Sequence, residues 1–140
     1  MTTVARLASQ NCRRMDHPTH HVLLVDDDAD VLEALGTFLE LRGIDVERAP
    51  SAFAALQALQ TGRLPCVVLL DIRMPGMTGW DLWAWMQREP TTAGLPVVMI
   101  SGEGQDREVA RARGIVEVLR KPVDAERLEA LVVETCAARS

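Results

Sequence analysis

Three uninterrupted apolar runs set the tightest limit on what this chain can become: Val22-Leu23-Leu24-Val25, Cys66-Val67-Val68-Leu69-Leu70 and Val97-Val98-Met99-Ile100. A strand that is apolar on both sides must be covered on both sides, which is the situation of a parallel strand sandwiched between helices. The segments between the runs supply those helices. Asp28 can cap a helix to about Leu41, with Val31, Leu35, Phe38 and Leu39 near one face and Gly43 as its stop. Ile44–Ala49 reads as a short strand, and Ser51 caps an Ala/Leu/Gln helix that ends at Gly62. Further helices are expected at about Gly79–Arg88, Gln105–Ala112 and Asp124–Ala138, with a last strand at about Val116–Arg120. Strands alternate with helices throughout, which predicts a doubly wound α/β domain on a parallel five-stranded sheet, (βα)5, over residues 21–140.

The chain has 140 residues, which suits one such domain. With 48% hydrophobic and 25% charged residues it has the composition of a folded globular protein. No apolar run approaches the roughly 18 residues of a membrane span, and no secretory leader is visible at the N-terminus. Cys12, Cys66 and Cys136 are too few and too scattered for a disulfide framework, which suits a reducing cytoplasm. A net charge of −5 without a basic stripe speaks against direct nucleic-acid binding. Residues 1–20 read as an extension, flexible or folded into a short helix through Val4, Leu7, Ala8 and Met15. His17, His20 and His21 have only Asp16 beside them and no Cys nearer than Cys12, so no metal site is expected from them.

Open parallel sheets bind ligands at the carboxyl ends of their strands. The residues expected there are Asp26 and Asp27, Asp71, Ser101 and Lys121, the last being the only lysine in the chain. Three converging carboxylates repel each other and call for a cation or a raised pKa, and Mg²⁺ is the hard, oxygen-seeking ion that suits so few ligands. With Mg²⁺ and Lys121 the carboxylate charge is balanced. The site then offers spare coordination, an ammonium and a hydroxyl to an incoming phosphoryl group.

At this point the chain resembles the receiver domains of two-component response regulators. The resemblance rests on Val25-Asp26-Asp27, the stretch Asp71-Ile72-Arg73-Met74-Pro75-Gly76-Met77-Thr78-Gly79, Ser101-Gly102 and Lys121-Pro122, in that order. It implies a flavodoxin-like strand order 2-1-3-4-5 and a cis Lys121-Pro122 bond. It also implies that Asp71 accepts a phosphoryl group from a histidine kinase or phosphotransfer protein. Asp27, Asp71 and the Arg73 carbonyl would hold Mg²⁺, with Asp26 acting through water, while Ser101 and Lys121 would contact the phosphoryl oxygens. Such a module is a phosphorylation-switched binding protein rather than a metabolic enzyme. Its partners would be the phosphodonor and a downstream protein, with a homodimer left open.

Blander readings stand beside these. Asp28 and Asp30 read as helix-capping acids. An EF-hand fails because Val31 and Thr37 stand where that loop needs Gly and Glu. Ser101 could be an ordinary strand-end hydroxyl, Cys66 a small core residue. A small phosphatase of the haloacid dehalogenase type also uses a strand-end Asp, a hydroxyl, a Lys and Mg²⁺. Its first motif, Asp-x-Asp-x-Thr/Val, is not what Asp26-Asp27-Asp28-Ala29-Asp30 spells. A degenerate scaffold receiver is opposed by the intact set of residues.

Several positions are expected to modulate the site. Receivers usually carry an aromatic residue three positions before the Lys; here that position is Val118. The interval from Ser101 to Lys121 is also short, so the fourth helix should be short and any response should spread through the Ser101–Gln105 loop. Arg73 and Glu103 should project at the rim and pair there. On the third helix, Leu82, Trp83 and Met86 are expected to form the buried stripe, with Trp80 and Trp85 at its edges. If these 140 residues are the whole protein and not part of a longer regulator, output is expected through protein contacts or phosphorelay.

Overall fold

The computed structural model describes residues 20–104, 106–113, 115 and 117–139. The expected extension over residues 1–20 therefore lies outside the described residues except for His20, as do Gln105 and Val116. The elements are β1 His21–Val25, α1 Ala29–Leu41, β2 Asp45–Ala49, α2 Ala52–Thr61 and β3 Val67–Asp71. They continue with α3 Gly79–Arg88, β4 Val97–Ser101, α4 Asp106–Ala112, β5 Glu117–Arg120 and α5 Ala125–Arg139. All five strands are parallel, in the order β2-β1-β3-β4-β5. The alternation of apolar runs and helical segments thus produces the doubly wound sheet.

Side-chain alternation along each strand divides the core in two. Leu23, Val25, Val68, Leu70, Met99 and Val118 meet Ala55 and Leu59 of α2, Leu82 and Met86 of α3 and Ala110 of α4. Val22, Leu24, Val67, Leu69, Val98 and Ile100 meet Leu32, Leu35 and Leu39 of α1 and Leu128, Leu131 and Val132 of α5. The register sets Val25 opposite Leu70 and Asp71 opposite Ile100, which brings the strand ends to one edge.

The Asp28 side chain caps α1, accepting from the amides of Asp30 and Val31 at 2.9 and 3.4 Å. The buried line of α1 is Leu32, Leu35, Gly36 and Leu39, so the expected stripe is turned by a residue. Val31 instead borders a shallow apolar groove with Lys121, Pro122 and Val123. Gly43 follows α1 at φ +83°, the left-handed geometry that stops a helix cheaply only with glycine. On α3 the buried residues are Gly79, Leu82 and Met86, while Trp80, Trp83 and Trp85 are all half-buried. Trp83 packs against that core without being fully buried, and the Arg113 guanidinium lies over it at 5.7 Å and over Trp80 at 4.7 Å. The fourth helix is short, seven residues, and the Lys121-Pro122 bond is cis.

Two details correct the sequence reading. Cys66 is only half-buried, and its sulfur accepts the His21 amide at 3.4 Å. His20 does have cysteine companions: its ring, Cys66 Sγ and Cys136 Sγ place donor atoms within 4.8 Å of one another. Residues remote in sequence meet here because parallel pairing aligns the starts of β1 and β3 under α5.

α3 is capped by Thr78 with a reciprocal bond from the Asp81 side chain, a capping box the sequence reading passed over. The helix then begins pressed against the strand it follows. A Cβ at Gly79 would lie 2.5 Å from the Asp71 carbonyl oxygen and 2.9 Å from Ile72 Cα, whereas one at Gly94 would meet nothing within 4 Å. Backbone cannot yield as a flexible side chain can. Gly79→Ala should therefore destabilise the fold by about 1–3 kcal/mol in urea denaturation, while Gly94→Ala changes it by less than about 0.5 kcal/mol.

Candidate functional site

Asp26 follows β1, Asp71 ends β3, Ser101 ends β4 and Lys121 follows β5, so the sheet gathers all four at its carboxyl edge. Backbone bonds fix them there. Asp26 donates its amide to the Ala49 carbonyl at 3.1 Å, and Lys121 donates to the Ser101 carbonyl at 2.9 Å. Asp26, Asp71 and Ser101 are buried, with at most 1% exposed, whereas Asp27 is exposed. Oxygens of Asp26, Asp27 and Asp71 lie within 4.8 Å of one another.

Burial of carboxylates demands compensation. Asp26 Oδ1 accepts the Asp28 amide at 2.9 Å, and Asp71 Oδ1 accepts the Arg73 amide at 3.4 Å. Lys121 Nζ stands between them, 3.4 Å from Asp26 Oδ2 and 3.3 Å from Asp71 Oδ1. Even so, Oδ2 of each Asp has no aligned hydrogen-bond partner among the described residues. Burial first, and the Asp26 charge second, push the Asp71 carboxyl up from 3.8 to about 6, against the opposing pull of Lys121 and the Arg73 amide. Burial lowers the Lys121 pKa, but Asp71 and Asp26 together outweigh it and the net shift is upward. One ammonium therefore does not satisfy the pair. The two orphaned oxygens and the neighbouring Asp27 form an oxygen-rich donor set that fits a hard divalent cation.

Ser101 is engaged elsewhere. Its hydroxyl donates to Asp106 Oδ2 at 2.5 Å and accepts the Glu103 amide at 2.9 Å. Asp106 opens α4 and is 3% exposed, and it also takes Arg73 Nη2 at 3.1 Å. Arg73 does reach Glu103 at the rim, 3.2 Å away with both side chains half-exposed, but the pair is part of a three-residue network. The sequence reading missed Asp106 because an acid in the first turn of a helix looks like a partner of the helix dipole. Its five-residue spacing from Ser101 was the available signal. Val118 is 6% exposed, faces the α2–α4 core and borders a hollow of about 200 Å³ with Arg107, Ala110 and Ile115. No ring turns there.

The geometry can be set beside known proteins. The response regulator receiver domain family model matches residues 22–133. This chain is a member of the response regulator receiver family. The receiver is 35% identical over 116 residues to the transcriptional regulatory protein GlrR of Escherichia coli, covering 81% of this chain and 26% of that protein. It thus spans about a quarter of that relative's length. Protein PilH of Pseudomonas aeruginosa is 32% identical over 109 residues, covering 76% of this chain and 89% of PilH. Among solved structures, a response regulator receiver protein from Pseudomonas putida aligns with TM-score 0.77 and 32% identity, covering 84% of this chain and 98% of that one. The receiver domain from Francisella aligns with TM-score 0.80 at 23% identity over 87% of this chain and 100% of that one, a likeness of fold alone. The receiver is a module of two-component signalling, and nothing in these comparisons supports a dehalogenase-type phosphatase.

The strained carboxylate pair has a thermodynamic signature. The folded-state pKa of Asp71 lies above its ordinary value, so the stability linked to it is full below about 3.8 and is lost as pH rises through about 6. In chelator, Asp71→Asn should stabilise the receiver at pH 7 by about 1–3 kcal/mol and by much less at pH 4. Urea denaturation at the two pH values measures this. Equal effects at both would disprove the linkage.

Proposed function

We propose that this receiver, residues 21–140 with residues 1–20 as an extension, accepts a phosphoryl group on Asp71 from a histidine kinase or phosphotransfer protein. The observation that carries the reading is the pair of buried Oδ2 atoms of Asp26 and Asp71 that have no hydrogen-bond partner among the described residues, with Lys121 Nζ as the one ammonium beside the two carboxylates. Such a pair is costly unless it serves a ligand. At neutral pH a carboxyl with a pKa of about 6 is mostly ionised, so Asp71 keeps a free oxygen as nucleophile. That oxygen forms a bond to phosphorus as the donor's P–N bond breaks, and the imidazole leaves with a proton from solvent.

Asp27, Asp71 and the Arg73 carbonyl, with Asp26 acting through water, would hold Mg²⁺, whose charge would offset that of the phosphoryl oxygens. Lys121, within 3.3 Å of Asp71, needs only to turn its ammonium toward those oxygens. Ser101 has to exchange Asp106 for the phosphoryl group, and that exchange hands the chemical event to α4. Because Val118 cannot act as a turning ring, the loop from Ser101 to α4 transmits the change to a downstream protein. The molecule is then a cytoplasmic phosphoacceptor that aids its own phosphorylation and dephosphorylation, with no metabolic substrate and no direct role for nucleic acid. No described helix is long and apolar enough to cross a membrane.

The test is incubation with Mg²⁺ and acetyl phosphate, followed by intact mass. One added phosphoryl group is expected, absent in Asp71→Asn and absent in chelator. Label on Asp26 would point to phosphatase-like chemistry, and no adduct at all would refute the reading.

The rim network makes a second expectation. Arg73 and Glu103 shield the in-line path of water to the phosphoryl group, so Arg73→Ala and Glu103→Ala should each speed its loss. The double variant should be less than additive, because each change breaks the same pair. Asp106→Ala frees the Ser101 hydroxyl and should raise the rate of phosphorylation by acetyl phosphate about threefold to tenfold. Strict additivity of the first two, or slower labelling of the third, would show that the network has no such role.

A further inference from the structure

At the opposite edge of the sheet from Asp71, three metal-seeking side chains converge, and no step of phosphoryl transfer uses them. His20 precedes β1, Cys66 precedes β3 and Cys136 lies in α5. Their donor atoms are within 4.8 Å of one another; His20 and Cys66 are half-buried and Cys136 is 3% exposed. We propose that His20, Cys66 and Cys136 form a binding site for a thiophilic cation, Zn²⁺, with one coordination position open to solvent.

The backbone holds the donors in place. The His20 carbonyl accepts the Asp45 amide at 2.8 Å, and the Cys66 amide donates to the His21 carbonyl at 2.8 Å. Cys66 Sγ in turn accepts the His21 amide at 3.4 Å, the kind of outer contact that orients a metal ligand. Cys136 is fixed by the apolar face of α5, where Leu128 and Val132 are fully buried. Bond lengths of about 2.3 Å to sulfur and about 2.0–2.1 Å to nitrogen place tetrahedral ligands roughly 3.5–3.8 Å apart. The observed spread needs to close by no more than about 1 Å, within reach of small side-chain rotations.

The donor chemistry selects the ion. Two thiols and an imidazole favour zinc over the hard cation that suits the carboxylates of Asp26, Asp27 and Asp71, so the two edges of the sheet take different metals. Binding releases the thiol protons and couples to stability, because the ligands come from three separate stretches of chain. It would tie α5 to the starts of β1 and β3, about 16 Å of strand away from the phosphoacceptor edge.

The experiment uses the whole, reduced chain with excess Mg²⁺ to fill the acidic cluster. Co²⁺ is added first as a spectroscopic probe and then displaced by Zn²⁺. The expected result is one equivalent of Co²⁺ with a thiolate charge-transfer band and tetrahedral visible bands, both abolished by stoichiometric Zn²⁺. His20→Ala and Cys66→Ala alter half-buried positions and should keep the native near-ultraviolet circular dichroism of the tryptophans. Each should weaken binding about tenfold or more, and Zn²⁺ should raise Tm in the parent chain but not in these variants. Cys12→Ser should leave the titration unchanged. The proposal is overturned by the absence of a thiolate band, by a band that survives Cys66→Ala, or by one lost with Cys12→Ser.

Discussion

Two carboxylates buried beside each other under a single ammonium are the constraint around which this molecule is arranged. Asp26 and Asp71 lie at the carboxyl ends of adjacent strands, where the apolar core stops and sheet hydrogen bonds fix the backbone. A surface pair of this kind would relax into solvent. This pair cannot, and the raised pKa of Asp71 records the resulting stress. The hydrophobic layers on both faces of the sheet hold a locally unfavourable charge arrangement in place, as functional sites often require.

Much of this was legible in the chain. The three apolar runs located the central strands because period-free hydrophobicity over four or five residues has few other structural uses. The strand-end position of Asp26, Asp71, Ser101 and Lys121 followed from that placement, and the structure brings all four to one edge. What stayed hidden depended on contacts between distant segments. The helical stripe of α1 was displaced because Val31 faces the Lys121–Val123 segment, which lies ninety residues further on. The His20, Cys66 and Cys136 grouping could not be read from spacing at all, since only parallel register aligns the first two. Asp106 was concealed differently: its position suited a bland helical role so well that its burial had no visible cause.

Asp106 also changes how the resting site should be pictured. The Ser101 hydroxyl is saturated by a carboxylate and an amide before any phosphoryl group arrives. Under the proposed function, switching would be an exchange of partners between two satisfied states. Exchanges of this sort differ in free energy by much less than the strength of either bond, because one hydrogen bond is broken for each one made. Such a balance lets a single modification move the population substantially without destroying the fold.

The stacking of Arg113 over Trp80 and Trp83 has an optical corollary. Arg113 directly follows α4, while the indoles belong to α3, whose first residue rests on the backbone of Asp71. The chain contains no tyrosine, so its ultraviolet emission comes almost wholly from three indoles. Two of them lie beneath a cation whose field polarises the excited ring. A displacement of Arg113 from these rings would change the surroundings of both indoles and with them the colour of the emitted light. The receiver thus contains an intrinsic fluorophore pair between the sheet edge that carries Asp71 and its fourth helix.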